Sequence, residues 1–225
     1  ISYEIIEKKG WKILFASYTE ILNTYVASDH IDFYPPTEKQ REKLIVDLQK
    51  IMKENTYDFF VLGVHSAEAE YSTYIPESRK AFFHMLIDLG VDILWASHPH
   101  VTQDWELFQN SETGNIEKMI IYCLGNTYSG QRRPWPNLQE PEHYLESTGD
   151  SILLSLELEK NEKVGKPFIT SCVPYIITTH IDPNYNFVIQ FLSEDFINTQ
   201  IQSLQDYYKK RLQIMSQIQG KIICK

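Results

Sequence analysis

Two kinds of hydrophobic pattern alternate in the first half of the chain. Continuous apolar runs span residues 58–65 and 91–96, which is the pattern of strands buried on both faces. Between them, residues 76–89 carry apolar side chains at helical spacing, and Gly90 follows as a glycine that ends a helix. The order strand, helix, strand predicts a right-handed βαβ unit with parallel strands.

The remaining segments predict a largely β chain with two further helical regions. Residues 3–7 and 11–17 predict a hairpin, and Thr37 with Gln40 forms a capping box that starts a helix ending near Asn55. Further strands are predicted at 103–109, 117–124, 151–159, 168–179 and 185–192, with a helical tail at 193–219. Since no repeat or linker divides the chain, we expect a single α/β domain over residues 1–225.

Composition and charge narrow the function classes. The chain has 225 residues, of which 43% are hydrophobic and 23% charged, as in an ordinary globular protein. Its net charge of −9 argues against nucleic acid as a partner. No stretch approaches the 18 apolar residues of a transmembrane helix, and the three cysteines form no metal-binding or disulfide pattern. The pair Arg132-Arg133 either clamps a phosphate or carboxylate or lies in a solvated loop.

Three histidines mark the ends of the two predicted parallel strands. His65 ends the first strand, and His98 and His100 follow the second, separated by Pro99. Side chains two apart in an extended segment project to the same side, and parallel strands end at the same edge of a sheet. Neutral imidazole is the commonest metal ligand. The sequence therefore predicts a shared metal or catalytic site, against the alternative of surface histidines on loops.

Four motifs then follow one another in the order and near the spacing of a known family. They are Phe60-Val61-Leu62-Gly63-Val64-His65, Glu70-Tyr71, His98-Pro99-His100 with Gln103 and Glu106, and Tyr122-Cys123-Leu124-Gly125-Asn126. Together they resemble the CapA family, whose members are linked to poly-γ-glutamate capsule synthesis. The resemblance covers about residues 11–130 and implies the calcineurin-like metallophosphoesterase fold, an α/β sandwich of mixed sheets flanked by helices.

The resemblance implies a metal centre. His65, His98 and His100 correspond to the histidine half of a binuclear site that holds two divalent ions, Mn, Fe or Zn, in the intact protein. Such ions activate a water and stabilise phosphoryl charge. By themselves, three neutral imidazoles resemble a zinc site more closely than a complete phosphoesterase site.

Other residues are implied around this centre. They either order the site or contact substrate, and they are Glu70, Tyr71, Glu106 and Asn126. Glu106 is expected to orient a histidine, and Asn126 either to support a ligand or to order a loop, because such partners fix the tautomer and ring direction of a ligand. Glu70 and Tyr71 are expected in a substrate cleft, with a solvated loop as the alternative.

The sequence also departs from the family pattern. Ser97 stands where a histidine is usual, Cys123 where a serine is usual, and Thr127 where an aromatic is usual, and the loop 66–71 has one extra residue. The early motifs that supply aspartate and asparagine ligands do not occur in this sequence. We therefore expect the chain to be the C-terminal part of a longer protein, to bind metal weakly and be inactive alone, and to form dimers or exchange strands.

Two functions remain open. The first is a metal-dependent, phosphoesterase-like hydrolase of capsule or cell-envelope polymers, with an anionic or polymeric substrate. The second is a non-catalytic envelope module that keeps the fold without the chemistry. The resemblance implies the cell envelope or the outer side of the membrane in both cases.

Overall fold

A computed structural model describes residues 1–24, 30–132, 137–160, 167–182 and 184–224. These residues form ten strands and four helices. The strands are β1 (Tyr3–Lys8), β2 (Trp11–Thr19), β3 (Phe59–His65), β4 (Ile93–Ser97), β5 (Trp105–Gln109), β6 (Ile116–Ile121), β7 (Asp150–Lys160), β8 (Pro167–Ile181), β9 (Phe187–Phe191) and β10 (Gly220–Cys224). The helices are α1 (Glu38–Glu54), α2 (Glu77–Leu89), α3 (Glu194–Asn198) and α4 (Gln202–Met215). The short 3-10 turn Glu146–Gly149 precedes β7.

The strands form one curled, mixed sheet. Its main path runs β1-β2-β3-β4-β6-β5-β10, and β7, β8 and β9 branch from it through the pairing of β8 with β6. The pairs β2–β3, β3–β4 and β4–β6 are parallel, which places the carboxyl ends of β2, β3 and β4 at one edge. The predicted α/β fold, a central mixed sheet flanked by helices, is confirmed.

Two apolar cores cover the two faces of this sheet. On one face, the helices α1 and α2 bury Leu48 and Phe83 against strand residues such as Leu62. On the other face, Met119 packs against Ile152 of the β7–β8 hairpin. Alternate residues of each central strand face opposite sides of the sheet. The face under α1 and α2 is buried along the strands, whereas on the other face Trp95 is 52% exposed.

Most predicted elements are confirmed. The hairpin is β1–β2, the βαβ unit is β3-α2-β4, and the Thr37 hydroxyl caps α1 by accepting the Gln40 N–H. The predicted helical tail at 193–219 was wrong in one respect. It breaks between α3 and α4, where the Thr199 and Gln200 side chains both donate to the Phe196 carbonyl and compete with the helical bonds.

Strand β10, which follows the predicted tail, was not predicted from the sequence. It pairs in parallel with β5, beginning at Gly220 opposite Trp105. A Cβ at Gly220 would lie 2.3 Å from the Trp105 indole nitrogen, so the close approach of these two strands requires glycine. A five-residue strand at the end of a chain carries too short a pattern to be recognised without its partner.

Candidate metal site

The candidate site lies where three parallel strands end together. In the register of the sheet, Thr19 of β2 pairs with His65 of β3, and His65 pairs with Ser97 of β4. His98 and His100 follow directly after β4. The structure therefore brings together the three histidines that the strand order predicts at one edge.

The backbone around these histidines is strained. Among the described non-glycine residues, five have a positive φ, and three of them lie here: Tyr71 at 62°, His98 at 119° and His100 at 62°. Left-handed conformations are unfavourable for residues with a Cβ and persist only where the surroundings impose them. The Tyr71 N–H donates to the Pro99 carbonyl at 2.8 Å and ties the two strained loops together. Strain of this kind concentrates at functional sites.

His65 is held from the side by a threonine. Its Nδ1 lies 2.8 Å from the hydroxyl of Thr19, and its Nε2 lies 3.2 Å from Nδ1 of His98. Thr19 is the residue that sequence reasoning missed. Its only signal would have been the β2–β3 register, which the hydrophobic pattern does not determine at single-residue precision.

His100 is held from the opposite side by Asn126. The Asn126 amide nitrogen donates to the Thr148 carbonyl at 3.1 Å and to Gln131 Oε1 at 2.9 Å, so its Oδ1 is the atom that faces His100. That oxygen accepts from Nδ1 of His100 at 2.9 Å. The Nε2 atom of His100 is then left with a lone pair directed away from Asn126. The Asn126 side chain therefore contacts His100 directly.

Glu70 completes the cluster. Ligand atoms of Glu70, His98 and His100 all lie within 4.8 Å of one another, and Glu70 Oε1 is 4.0 Å from His100 Nε2. The Tyr71 ring stacks beside the His100 ring with centroids 6.0 Å apart, and Tyr144 packs against Tyr71 from the other side. One carboxylate and three imidazoles thus converge, with aromatic rings forming one wall.

Two of the histidines, His65 and His98, are neutral near pH 7. Burial lowers the pKa of His65, and the nearby His100 lowers it further. Burial likewise lowers the pKa of His98, with a further contribution from His65. Neutral imidazoles offer lone pairs, so the environment keeps His65 and His98 in the protonation state that metal binding requires.

A buried ion pair supports the loop that carries Glu70. Arg79, at the start of α2, donates to both carboxylate oxygens of Glu20 at 2.6 and 2.7 Å and to Glu68 at 2.5 Å. Glu20 also accepts the Ala67 N–H at 3.0 Å. Because this ion pair bonds the loop at Ala67 and at Glu68, the path of the loop is set by Glu20 and α2 rather than by Glu70 itself.

The structure places two other sequence candidates elsewhere. Glu106 does orient a histidine, but this is His84 of α2, at 2.6 Å, and Glu106 also accepts from the Tyr122 hydroxyl at 3.1 Å. Arg132 is 2% exposed and bonds the carboxylate of Asp150 at 2.7 Å. Its interpretation as a solvated loop residue was wrong, and the carboxylate that it binds belongs to the protein rather than to a ligand. Its neighbour Arg133 lies outside the described residues.

A groove of about 900 Å³ adjoins the cluster on the second face of the sheet. Its floor consists of Val61, Gly63 and Trp95, its far wall includes Leu154 of β7, and His65 lies at its polar end. The groove is mainly apolar, and His65 is the member of the cluster that lines it.

Fold and site together define an α/β protein with a histidine–carboxylate cluster at the carboxyl ends of parallel strands. Residues 2–131 match a protein family described as bacterial capsule synthesis protein PGA_cap. Because this match covers more than half of the chain, the chain belongs to that family, and the resemblance to CapA proteins is confirmed.

Individual relatives are distant. The capsule biosynthesis protein CapA of Bacillus anthracis is 27% identical over 124 residues, which make up 54% of this chain and 28% of that protein. The matched part thus spans less than a third of the relative's length. A crystal structure of a hypothetical protein from Thermus thermophilus is 17% identical with a TM-score of 0.42, covering 77% of this chain and 60% of that one. No helix among the described residues is long and apolar enough to span a membrane.

Proposed function

We propose that this chain holds a divalent metal ion between His98, His100 and Glu70, with His65 beside it, and serves in capsule or cell-envelope polymer synthesis. In the intact protein the site acts as a phosphoesterase-like hydrolase on an anionic or polymeric substrate. The observation that carries the proposal is that ligand atoms of Glu70, His98 and His100 all lie within 4.8 Å of one another, on a strained backbone.

The residues present fit a metal ion in their chemistry. Two or three neutral imidazoles with a carboxylate form the ligand sets of catalytic zinc sites, and Mn and Fe accept the same donors. Each of His65 and His100 has its Nδ1 bonded to a neighbouring oxygen, which leaves Nε2 for the ion. The described residues offer one carboxylate in the cluster, which supports one ion here and leaves a second to be completed by other groups.

The chemistry follows from the geometry of the chain's own groups. A bound ion would supply an acidified water and would polarise a phosphoryl or carbonyl oxygen. Thr19 and Asn126 orient the imidazoles, and the Glu20–Arg79 pair fixes the loop that brings Glu70 to them. Tyr71 closes one side against solvent and offers an apolar surface to the substrate.

A second candidate, the non-catalytic envelope module, is favoured by one observation. Ser97 stands where the family resemblance implies a histidine, and its hydroxyl is directed to the Val64 carbonyl at 3.5 Å. The cluster therefore has one imidazole fewer than the resemblance implies. A module of this kind would keep the fold and bind metal without hydrolysing substrate.

Metal titration by calorimetry, with elemental analysis, tests the proposal on the wild type and on the double variant His98→Ala/His100→Ala. The wild type should bind one Zn or Mn ion per chain, and the double variant should bind at least about 100-fold more weakly, because direct ligands matter more than their supporting partners. The control is His84→Gln, which keeps a donor for Glu106 outside the cluster and should bind as the wild type does.

Hydrolysis of bis(p-nitrophenyl) phosphate separates the two candidates. A metal-dependent rate that disappears in the double variant supports the hydrolase. Stoichiometric metal without hydrolysis, in the full-length protein, favours the non-catalytic module. Equal metal binding by the wild type and the double variant would overturn the site altogether.

A further inference from the structure

We propose that Thr19 is a positioning residue of the metal site: its hydroxyl holds His65 as the Nδ1–H tautomer and so directs the Nε2 lone pair into the cluster. This inference rests on the metal site proposed above. It adds a residue of β2 that neither the motifs nor the family resemblance singled out.

The hydrogen-bond inventory of Thr19 determines the tautomer. A threonine hydroxyl has one proton to donate and two lone pairs to accept with. The Thr19 hydroxyl lies 2.7 Å from the Ile21 carbonyl oxygen, which can only accept, so the proton goes there. The contact with His65 Nδ1 at 2.8 Å must then be a bond that His65 donates. The second lone pair of the hydroxyl accepts the Ile21 N–H at 3.3 Å.

The main chain keeps the hydroxyl in this place. Thr19 is 8% exposed, its N–H donates to Asp32 and its carbonyl accepts from Tyr34, each at 2.9 Å. The next residue, Glu20, donates its N–H to the His65 carbonyl at 2.9 Å. Backbone hydrogen bonds therefore hold Thr19 and His65 next to each other at the edge of the sheet, and the side-chain contact adds to them.

The resulting direction of His65 suits a metal ligand. Its Nε2 lies 3.2 Å from Nδ1 of His98. Two ligand atoms about 2.1 Å from one ion, at angles between octahedral and tetrahedral, lie about 3.0 to 3.4 Å apart. The opposite tautomer would place a proton on Nε2 and block this position. Thr19 acts on the ion only through His65.

Long-range ¹H–¹⁵N spectroscopy of the histidine rings tests this inference without any metal. Three proteins are compared: wild type, Thr19→Ser, which keeps the hydroxyl, and Thr19→Val, which has nearly the same shape without it. His65 should be the Nδ1–H tautomer in the wild type and in Thr19→Ser, and a mixture of tautomers in Thr19→Val. Zinc affinity, measured by calorimetry, should fall about 10- to 100-fold in Thr19→Val and be restored in Thr19→Ser.

The outcomes separate this inference from the proposed function. An Nε2–H tautomer in the wild type overturns the positioning role, whatever metal binds. Unchanged zinc affinity in Thr19→Val, with the wild type binding zinc, overturns it as well. If the wild type binds no zinc, the proposed metal site fails, and the inference fails with it even when the tautomer is as expected. Because the tautomer is read in the wild type too, loss of folding in Thr19→Val does not remove the test.

Discussion

The candidate site and the buried ion cluster of Arg132, Glu146, Asp150 and Arg211 are both polar, but their bonds are arranged in opposite ways. In the ion cluster, Asp150 accepts from Arg132 and Thr178 on one oxygen and from Arg211 on the other. All four charged residues are at most 2% exposed. Both carboxylate oxygens of Asp150 are therefore bonded by buried groups of the protein.

In the candidate site, the residues that orient the histidines lie on the side away from the centre of the cluster. Thr19 supports His65 and Asn126 supports His100, while the nitrogens on the inner side face other ligand atoms. The backbone of His98 and His100 is strained, as is common where function rather than stability sets the geometry. We expect the ion cluster, in which Asp150 is bonded on both oxygens, to hold the fold, and the histidine cluster, which is supported from one side, to bind a ligand.

The two regions are physically joined. The carbonyl of Thr148, in the turn Glu146–Gly149, accepts from Asn126, and Arg132 donates to the carbonyl of Glu146 in the same turn at 2.7 Å. The ion cluster therefore holds the turn that holds Asn126, and Asn126 holds His100. Substitutions at either end of this chain of bonds therefore test whether the two regions have different roles.

The largest effect is expected from Arg211→Met. Removing this guanidinium leaves Asp150 buried with one cation fewer, and breaking a buried pair in this way costs about 3–5 kcal/mol of the free energy of unfolding. Urea unfolding measures it. The matched control is Lys210→Met on the same helix, whose ion pair with Glu142 is at the surface, and no resolvable change is expected there. A loss no larger than the control's would mean that the ion cluster does not hold the fold.

An intermediate effect is expected at the junction. Asn126→Ala removes both the acceptor for His100 and the donor to Thr148, and zinc affinity should fall about 10- to 100-fold because the ligand loses its orienting partner. Asn126→Asp keeps the acceptor and should lose less affinity. Calorimetric titration distinguishes the two variants. If Asn126→Ala binds zinc as tightly as the wild type, His100 is oriented by something other than Asn126.

Much of the fold could be predicted because the central strands are uniform in their surroundings. The runs ending in His65 and Ser97 are mainly apolar and flank an amphipathic helix, so pattern and topology agree. The prediction failed where local sequence is ambiguous. The helical tail was broken by side-chain bonds at Thr199 and Gln200, and β10 depends on a partner more than 100 residues away.

Some residues of the candidate site could likewise be predicted from the sequence, and others could not. The histidines could be predicted because they follow strands whose ends must meet. Glu106 could not be assigned to His84, because that contact depends on how α2 lies over β5. The contact of Arg132 could not be predicted, because the polar loop sequence gives no sign that Arg132 bonds the buried carboxylate of Asp150. Contacts set by tertiary packing leave no periodic trace in the sequence.

The smallest expected effect concerns pH: the two regions should lose their contributions to the free energy of unfolding in different pH ranges. Burial, and then neighbouring imidazoles, hold the pKa of His65 and His98 below the ordinary value of 6.5. The unfolded chain then binds more protons than the folded one as the pH falls below this value, so the stabilisation present at neutral pH is lost progressively from about pH 7 to about pH 5. Asp150 acts in another window. Although burial raises its pKa, the guanidiniums of Arg132 and Arg211 outweigh burial and hold it below 3.8, so its contribution is lost below about pH 4.

Urea midpoints of the metal-free protein across pH, for the wild type and for His98→Ala, measure this separation. The variant should lose part of the step between about pH 7 and pH 5, and keep the step below about pH 4, because only the first involves the site. Burial raises the pKa of Glu146, which acts with the opposite sign, but this contribution is common to both proteins and cancels in their difference. Identical pH profiles in the two proteins would show that His98 is as easily protonated in the folded protein as in the unfolded chain. The imidazoles would then not be held neutral by their surroundings, and the contrast with the ion cluster would rest on geometry alone.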